Sequence, residues 1–378
     1  MVRAQRSSIL LASAGFLALL VFPAAAADSL TLDERFTLTA VSGELENPWG
    51  LAFLPDGRLL VTERPGRLRI VETDGRLSEP LANMPEVYHR GQGGLLDVAL
   101  DPDFAANSTI YISYAEPGDD GAGTAVARAR LSDAGLADLS VIFRQQPKVD
   151  SRRHFGSRLV IARDGTLFVT SGDRGLGDPA QDLQSHIGKV LRINRDGSVP
   201  PDNPFVGRAD ALPEIWSYGH RNVQGATLDP ATGQLWTVEH GARGGDEVNR
   251  PEPGKNYGWP VITYGVDYSG ARIGEGTAKP GMEQPVHYWD PSIAPSGMTF
   301  YTGDAFPDWR GDLFVGSLKF GYLARLDIED GKVVGEEKLL EDLDQRVRDV
   351  RQGTDGNLYL LTDEDESSVL KLAPASKS

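Results

Sequence analysis

The chain has 378 residues, no cysteine, and a net charge of −16 from 54 acidic against 38 basic residues. The lack of cysteine excludes disulfides and thiolate metal sites, and the acidic balance argues against nucleic acid or an anionic membrane surface as partner. The same balance leaves carboxylates for a hard cation such as calcium, and the length allows a sizeable core.

In chain order, residues 1–27 read as a secretory signal peptide. Arg3 and Arg6 precede an apolar run from Ile9 to Phe22, and Pro23 leads into Ala24 to Ala27, a small-residue cleavage stretch. A single membrane anchor is the rival reading, but the run falls short of the roughly 20 residues a spanning helix needs. The mature chain, residues 28–378, is expected to be a single soluble domain, periplasmic or secreted, with no stable membrane insertion.

The mature sequence repeats one local pattern, in which an apolar run meets an Asp-Gly or Asp-Pro turn and a second apolar run follows. It begins with Leu51 to Gly57 before Leu59-Leu60-Val61-Thr62, and recurs with Val98 to Asp103 before Thr109-Ile110-Tyr111-Ile112. Further copies centre on Asp164-Gly165, Asp229-Pro230, Gly311-Asp312 and Asp355-Gly356. Asp-Gly between apolar runs signals a hairpin, because those turn positions need positive φ. With 43 glycines and 24 prolines there is little room for long helices. A sandwich or paired barrels would also be all-β, but six copies favour an all-β six-bladed β-propeller with four-stranded antiparallel blades. A propeller gathers its inter-strand loops around one end of a central channel, where distant residues meet.

Four polar groups stand out in those loops. His154, just before Leu159-Val160-Ile161, is either a structural histidine or a general base, with Asp173 one strand later as a candidate orienting carboxylate. Tyr218 to Gly225 places Arg221 and Asn222 between glycines, as a polar turn or as an oxyanion-stabilising group. Glu239 to Glu247, followed by Asn256 to Pro260, offers carbonyl and carboxylate oxygens of the kind calcium prefers, without EF-hand spacing. Lys319, Arg346 and Arg348 are cationic. The two arginines alternate, so they share one face of a strand and suit a ligand with several carboxylates.

Taken in order, these segments resemble the soluble aldose dehydrogenases that depend on pyrroloquinoline quinone (PQQ), relatives of soluble quinoprotein glucose dehydrogenase. The resemblance is carried by Asn47 to Phe53, Gly91 to Leu95, His154 with Gly156 and Arg158-Leu159, and Gly188 to Arg192. It continues through Gly219 to Asn222, Asp246-Glu247 with Asn256 to Pro260, Ser317 to Lys319 and Arg346 to Val350, so it spans nearly all of the mature chain. It implies a PQQ- and calcium-dependent oxidation of aldose sugars at C1 to lactones, with an external electron acceptor. His154 would be the base, Asp173 its support, and Arg221 the group facing the reactive quinone carbonyl. Asn222, Lys319, Arg346 and Arg348 would hold the cofactor, and Gln92 would contact sugar and cofactor. Backbone oxygens of Gly241 and Ala242 would bind one calcium, and Glu247 with the backbone of Tyr257 a second. Soluble glucose dehydrogenase carries an aspartate immediately before its histidine, whereas this chain has Arg153, and its loops around the site look shorter. A more open, less selective sugar site is therefore expected, in a monomer or weak dimer. A calcium-dependent propeller lactonase and a non-catalytic sugar-binding propeller are the alternatives. The Lys319, Arg346 and Arg348 cluster is the feature that separates the dehydrogenase from the lactonase.

Overall fold

The computed structural model describes residues 29–375, and the segment read as a signal peptide lies outside the described residues. The chain forms six antiparallel sheets arranged as the blades of a propeller. The only α-helix among the described residues is the single turn Phe104–Asn107.

Each copy of the sequence pattern is the hairpin between the first and second strands of one blade. Blade 1 begins with Pro48–Phe53 and Leu59–Glu63, blade 2 with Leu95–Leu100 and Thr109–Gly118, and blade 3 with Leu159–Ile161 and Leu167–Ser171. Blade 4 begins with Val223–Leu228 and Leu235–Glu239, blade 5 with Pro295–Phe300 and Leu313–Ser317, and blade 6 with Val347–Gln352 and Leu358–Thr362. The turn chemistry is visible at Asp164-Gly165. Gly165 has φ 85°, and Asp164 Oδ1 accepts the Thr166 amide at 2.9 Å and the Thr166 hydroxyl at 2.7 Å.

Blades 2 to 5 have four strands each. In blade 1 the third strand, Arg67–Val71, is followed by a segment that pairs through Val71 with Leu77 and through two further backbone bonds, from Ser78 and Leu81. In blade 6, Ser367–Pro374 pairs with Phe36–Leu45, which carries the extra strand Ser29–Asp33 at its edge. The ring is thus closed by hydrogen bonds between segments far apart in the chain.

The core lies between blades rather than inside any one of them. Leu60, Ile70 and Leu81 of blade 1 meet Val98, Ile110 and Tyr114 of blade 2, and comparable wedges fill the other junctions. Because both faces of a blade are covered, second strands such as Leu59–Glu63 and Leu167–Ser171 are buried at every position. Their first three residues, Leu59-Leu60-Val61 and Leu167-Phe168-Val169, therefore read as apolar runs without alternation. Each such side chain contributes about 1.5–3 kcal/mol.

The innermost strands meet around charged groups. Arg158 Nη1 lies 3.1 Å from Asp97 Oδ1 and 3.2 Å from Asp349 Oδ2, and Arg351 reaches the same two carboxylates at 3.2 and 3.0 Å. Arg158 also donates through Nε to the Gln224 carbonyl at 3.0 Å and stacks 4.2 Å from the Trp49 ring centroid. Backbone amides of Leu159 and Leu51 donate to Asp97 and Asp349. One network thereby ties the inner strands of blades 1, 2, 3, 4 and 6. Removing one partner of a buried ion pair strands the other charge, at about 3–5 kcal/mol. Arg158→Met should lower the unfolding free energy by that amount in urea titrations. A loss below about 1 kcal/mol, typical of a surface pair, would show that the network does not hold the ring.

Candidate active site

The residues that enter the inner strands and those that leave the second strands converge on one mouth of the channel, opposite the Asp-Gly hairpins. There they line a cavity of about 930 Å³. Gln92, Gly156 and Asn222 come from the entering segments, and Arg64, His240, Lys319 and Asp363 from the leaving ones.

His154 sits behind this wall, in the segment entering blade 3, and is 8% exposed. Its backbone is left-handed, with φ 54°, a conformation uncommon outside glycine. The chain tolerates it because His154 N donates to Gln92 Oε1 at 2.6 Å, and because Gly172 lets the two loops touch. A Cβ at Gly172 would lie 2.1 Å from the His154 carbonyl oxygen. His154 Nδ1 is 2.6 Å from Asp173 Oδ1, while Nε2 makes no hydrogen bond to a described residue. Burial pushes the imidazole below its ordinary pKa. Asp173 opposes that shift, and Arg221 and Arg153 add to it. Burial pushes Asp173 upward, but the contacts with His154 and the Gly175 amide outweigh it and hold the carboxyl below its usual range.

Arg221 leads into blade 4. Its Nη1 donates to the carbonyl oxygens of Gly241 and, at 3.3 Å, His240, and its guanidinium lies 5.1 Å from the Trp259 ring centroid. His240 Nε2 is 2.6 Å from the Pro295 carbonyl, and burial drives its pKa down to about 3, so this ring is neutral. Asn222 Oδ1 accepts from Gly156 N and Gln224 Nε2, both at 3.3 Å.

The cations stand across the cavity. Arg346 and Arg348 reach the same oxygen, Asp363 Oδ2, at 2.9 and 2.7 Å, as side chains on one strand face must. Lys319 is exposed, with its ammonium 4.7 Å from the Phe320 ring centroid. Arg64 joins them, donating to the Gly91 carbonyl at 2.8 Å. Buried Nε atoms of Arg64, Arg221 and Arg348 have no partner among the described residues. Buried cationic N–H groups left open in this way fit a ligand rich in carboxylates.

The residues proposed for metal binding separate into two places. Ala242 lines the large cavity, whereas Gly241, Glu247 and Tyr257 line a small adjoining one together with Glu239. Burial, with Glu239 and Asp246 nearby, raises the Glu247 carboxyl to about 8. Carboxylates crowded together with backbone oxygens are a donor set that a hard cation would neutralise. Asp246 is not available as a ligand. It accepts from Gly241 N, Ser292 Oγ, Ile293 N and Ala294 N at 2.7 to 2.9 Å, and so fixes the loop instead.

Arg64 and Asp363 lie outside the segments singled out in the sequence, whereas His240 and Trp259 lie inside them without an assigned role; all four are brought to the site by the fold. Trp259 Nε1 donates to Asp173 Oδ2 at 2.7 Å.

By its family match, this six-bladed propeller is an oxidoreductase of the sugar dehydrogenase class. Residues 45–371 match the family described as Glucose / Sorbosone dehydrogenase, and the chain belongs to it. It is 49% identical over 337 residues to the aldose sugar dehydrogenase YliI of Escherichia coli (strain K12), covering 88% of this chain and 91% of that protein. A crystal structure of a glucose dehydrogenase is 52% identical, with TM-score 0.88, covering 90% of this chain and 99% of that one. The PQQ-bound aldose sugar dehydrogenase from Streptomyces coelicolor is 29% identical, with TM-score 0.74, covering 90% and 99%.

Asp363 offers a direct test of the cation cluster. Burial raises its carboxyl, but Arg348 and Arg346 outweigh that and bring it down to about 2. The ordinary value is about 3.9, so a depressed carboxylate adds stability above that pH and loses it as pH falls toward 2. The contribution is on the order of 2 kcal/mol. Asp363→Asn should destabilise the protein at neutral pH and flatten the fall in stability between about pH 4 and 2. Parallel acid limbs for variant and wild type in chemical denaturation would contradict this.

Proposed function

We propose that this chain oxidises aldose sugars at C1 to lactones, using PQQ and calcium at the channel-mouth cavity. The observation that carries the reading is the hydrogen-bonded His154–Asp173 pair beside a cavity ringed by guanidinium groups with buried N–H left open. The PQQ bound to the Streptomyces relative supports it.

With Nδ1 engaged by Asp173, the ring keeps its proton there and presents Nε2 as the basic nitrogen. Nε2 accepts the proton of the anomeric hydroxyl as hydride leaves C1, and the sugar gains its C1 carbonyl. Asp173 steadies the imidazolium that forms. The depressed pKa keeps His154 neutral, and therefore basic, at neutral pH. Bound PQQ supplies the two-electron acceptor for that hydride, and calcium a Lewis acid beside it. Arg64, Lys319, Arg346 and Arg348 would hold the cofactor's carboxylates, with Asn222 and Gln92 as neutral contacts. Arg221, whose Nε is open, would stabilise negative charge developing on the acceptor. One calcium would take the Ala242 carbonyl together with the Gly241 carbonyl, which here accepts from Arg221 Nη1 and would have to exchange that donor for the metal, and Glu247 with the Tyr257 backbone would hold another. Export after removal of residues 1–27, an external electron acceptor and a monomeric or weakly dimeric state go with this reading. Exposed Arg153, preceding His154, goes with broad sugar choice.

The lactonase alternative needs open carboxylates in the channel. Asp97 and Asp349 are already engaged by Arg158 and Arg351.

In a dye-linked assay with several aldoses, activity should appear only when PQQ and calcium are both supplied. A folded protein inactive on every aldose would overturn the reading, and strong preference for glucose over all others would overturn the open site. His154→Ala should keep sugar affinity and lose about 10²–10⁴ in kcat. For wild type, kcat/KM should fall on the acid side below about pH 6.5. Asp173→Asn should lower kcat and move that limb to lower pH, because the carboxylate it removes raises the histidine pKa. A limb that stays in place would remove Asp173 from the mechanism.

A further inference from the structure

The side chain of Trp259 touches both halves of the site. Its indole edge donates to Asp173 Oδ2 at 2.7 Å, and its face lies 5.1 Å from the Arg221 guanidinium carbon. These are the group that orients the base and the group assigned to the acceptor, and they come from different blades.

The indole is held from behind. Trp259 N donates to the Gly219 carbonyl at 2.9 Å, and Gln181 Nε2 donates to the Trp259 carbonyl at 2.7 Å. Gln181 exchanges a reciprocal pair of bonds with the Asn256 side chain, at 3.0 and 2.8 Å. It lies in the 3₁₀ turn Asp178–Gln181, whose Pro179 and Ala180 carbonyls accept from buried Lys189 Nζ at 2.9 and 3.0 Å. Lys189, from the Gly188 to Arg192 stretch, thus finds its use beneath the loop that sets Trp259.

Asp173 Oδ1 receives both His154 and the Gly175 amide, whereas the one donor to Oδ2 among the described residues is the indole. Without it Oδ1 keeps its bonds to His154 and the Gly175 amide, but Oδ2 loses its donor and the plane of the carboxylate is less firmly set. The geometry points to Trp259 as a positioning residue that aims Asp173 at His154 and keeps the base in register with Arg221, an inference that rests on the reading of His154 as the base.

The sign of its electrostatic effect follows. The N–H presents its positive end to the carboxylate that supports the imidazolium, so losing it leaves more negative charge facing His154. The other charged and titratable groups around this ring are Arg153, Arg221 and His240, with Arg174 stacked on Phe155 next to it. Of these only Arg221 touches Trp259, and it does so through the ring face, which phenylalanine keeps.

The test is a pH titration by NMR of unliganded protein labelled with ¹⁵N-histidine, where six histidines keep the spectrum readable and His154→Gln assigns the signal. Trp259→Phe keeps an apolar ring and removes the donor. It should raise the His154 pKa by about half a unit. In the PQQ- and calcium-loaded enzyme the acid limb of kcat/KM should move up with it, and kcat should fall about tenfold with a smaller change in KM. Site-specific 3-benzothienylalanine at position 259, with sulfur in place of N–H and nearly the same shape, should reproduce the shift. An unchanged or lowered His154 pKa in Trp259→Phe would overturn the proposal. So would a shift in Trp259→Phe that the isostere lacks, since packing alone would then explain it. The reading of the site fails separately, if His154→Ala retains turnover, and the titration of unliganded protein does not depend on that result.

Discussion

The salt-bridge network of Arg158 and Arg351 with Asp97 and Asp349 is the constraint on which the rest of the structure depends. A propeller is a closed ring of sheets, and its centre is where backbone strands converge with little apolar side chain to fill the gap. Two guanidinium groups and two carboxylates fill it here, with Gln224 O accepting from Arg158 Nε and the Trp49 ring stacked on its guanidinium, while Arg158 Nη2 has no partner among the described residues. Buried charge of this kind is costly unless every partner is present. It therefore acts as a register device: an inner strand displaced by one residue would break several contacts together. Short side-chain bonds between neighbouring blades extend the same logic outward. Ser113 Oγ donates to the Ser157 carbonyl at 2.6 Å, Thr170 Oγ1 to Val223 at 3.2 Å and Ser296 Oγ to Val347 at 2.6 Å.

A rigid ring allows the mouth to carry arrangements that would not persist alone. His154 keeps a left-handed backbone, and Ser157 and Arg174 nearby do the same, with φ 82° and 58°. Such residues cost on the order of 1–3 kcal/mol each and persist where surroundings over-determine them. Arg348 is buried with one nitrogen open; burial lowers its guanidinium pKa, and Asp363 opposes that shift. The two ends of the propeller therefore divide their work. At the hairpin end, local turn chemistry satisfies its own polar groups, while at the mouth donors and charges are left over.

That division explains which parts are legible in the sequence. The six hairpins are visible because an Asp-Gly, Asp-Pro or Gly-Asp turn and its flanking apolar runs are contiguous, and burial on both blade faces lets the second strands open on apolar residues without alternation. Blade 6 departs from four regular strands where the chain pairs across a long distance, Phe36–Leu45 with Ser367–Pro374, and no local pattern encodes that. In the site, His154 and Asp173 are readable as a pair because they flank the hairpin of a single blade. Arg346 and Arg348 are readable because they alternate on one strand. Arg64 and Asp363 are not, since they reach the cavity only when the ring closes. Asp246 shows the opposite case: an acidic residue in a glycine-rich loop looks like a ligand until its four hydrogen bonds to the loop are seen.

The chemistry at the mouth follows from keeping two kinds of electrostatics apart. Under the proposed function a base must stay neutral to take a proton and a polyanion site must stay positive, yet the two adjoin at one channel mouth in a chain of net charge −16. Placing cations near a histidine helps the first demand, since Arg221 and Arg153 both disfavour imidazolium, but it also weakens the ring as a proton acceptor. Asp173 restores that basicity locally, at 2.6 Å, while Asp363 quiets Arg346 and Arg348 on the far side. Each carboxylate thus sets the charge of its own wall. A substitution that moves either one alters proton affinity or anion affinity, and the two effects separate because the carboxylates bind different partners.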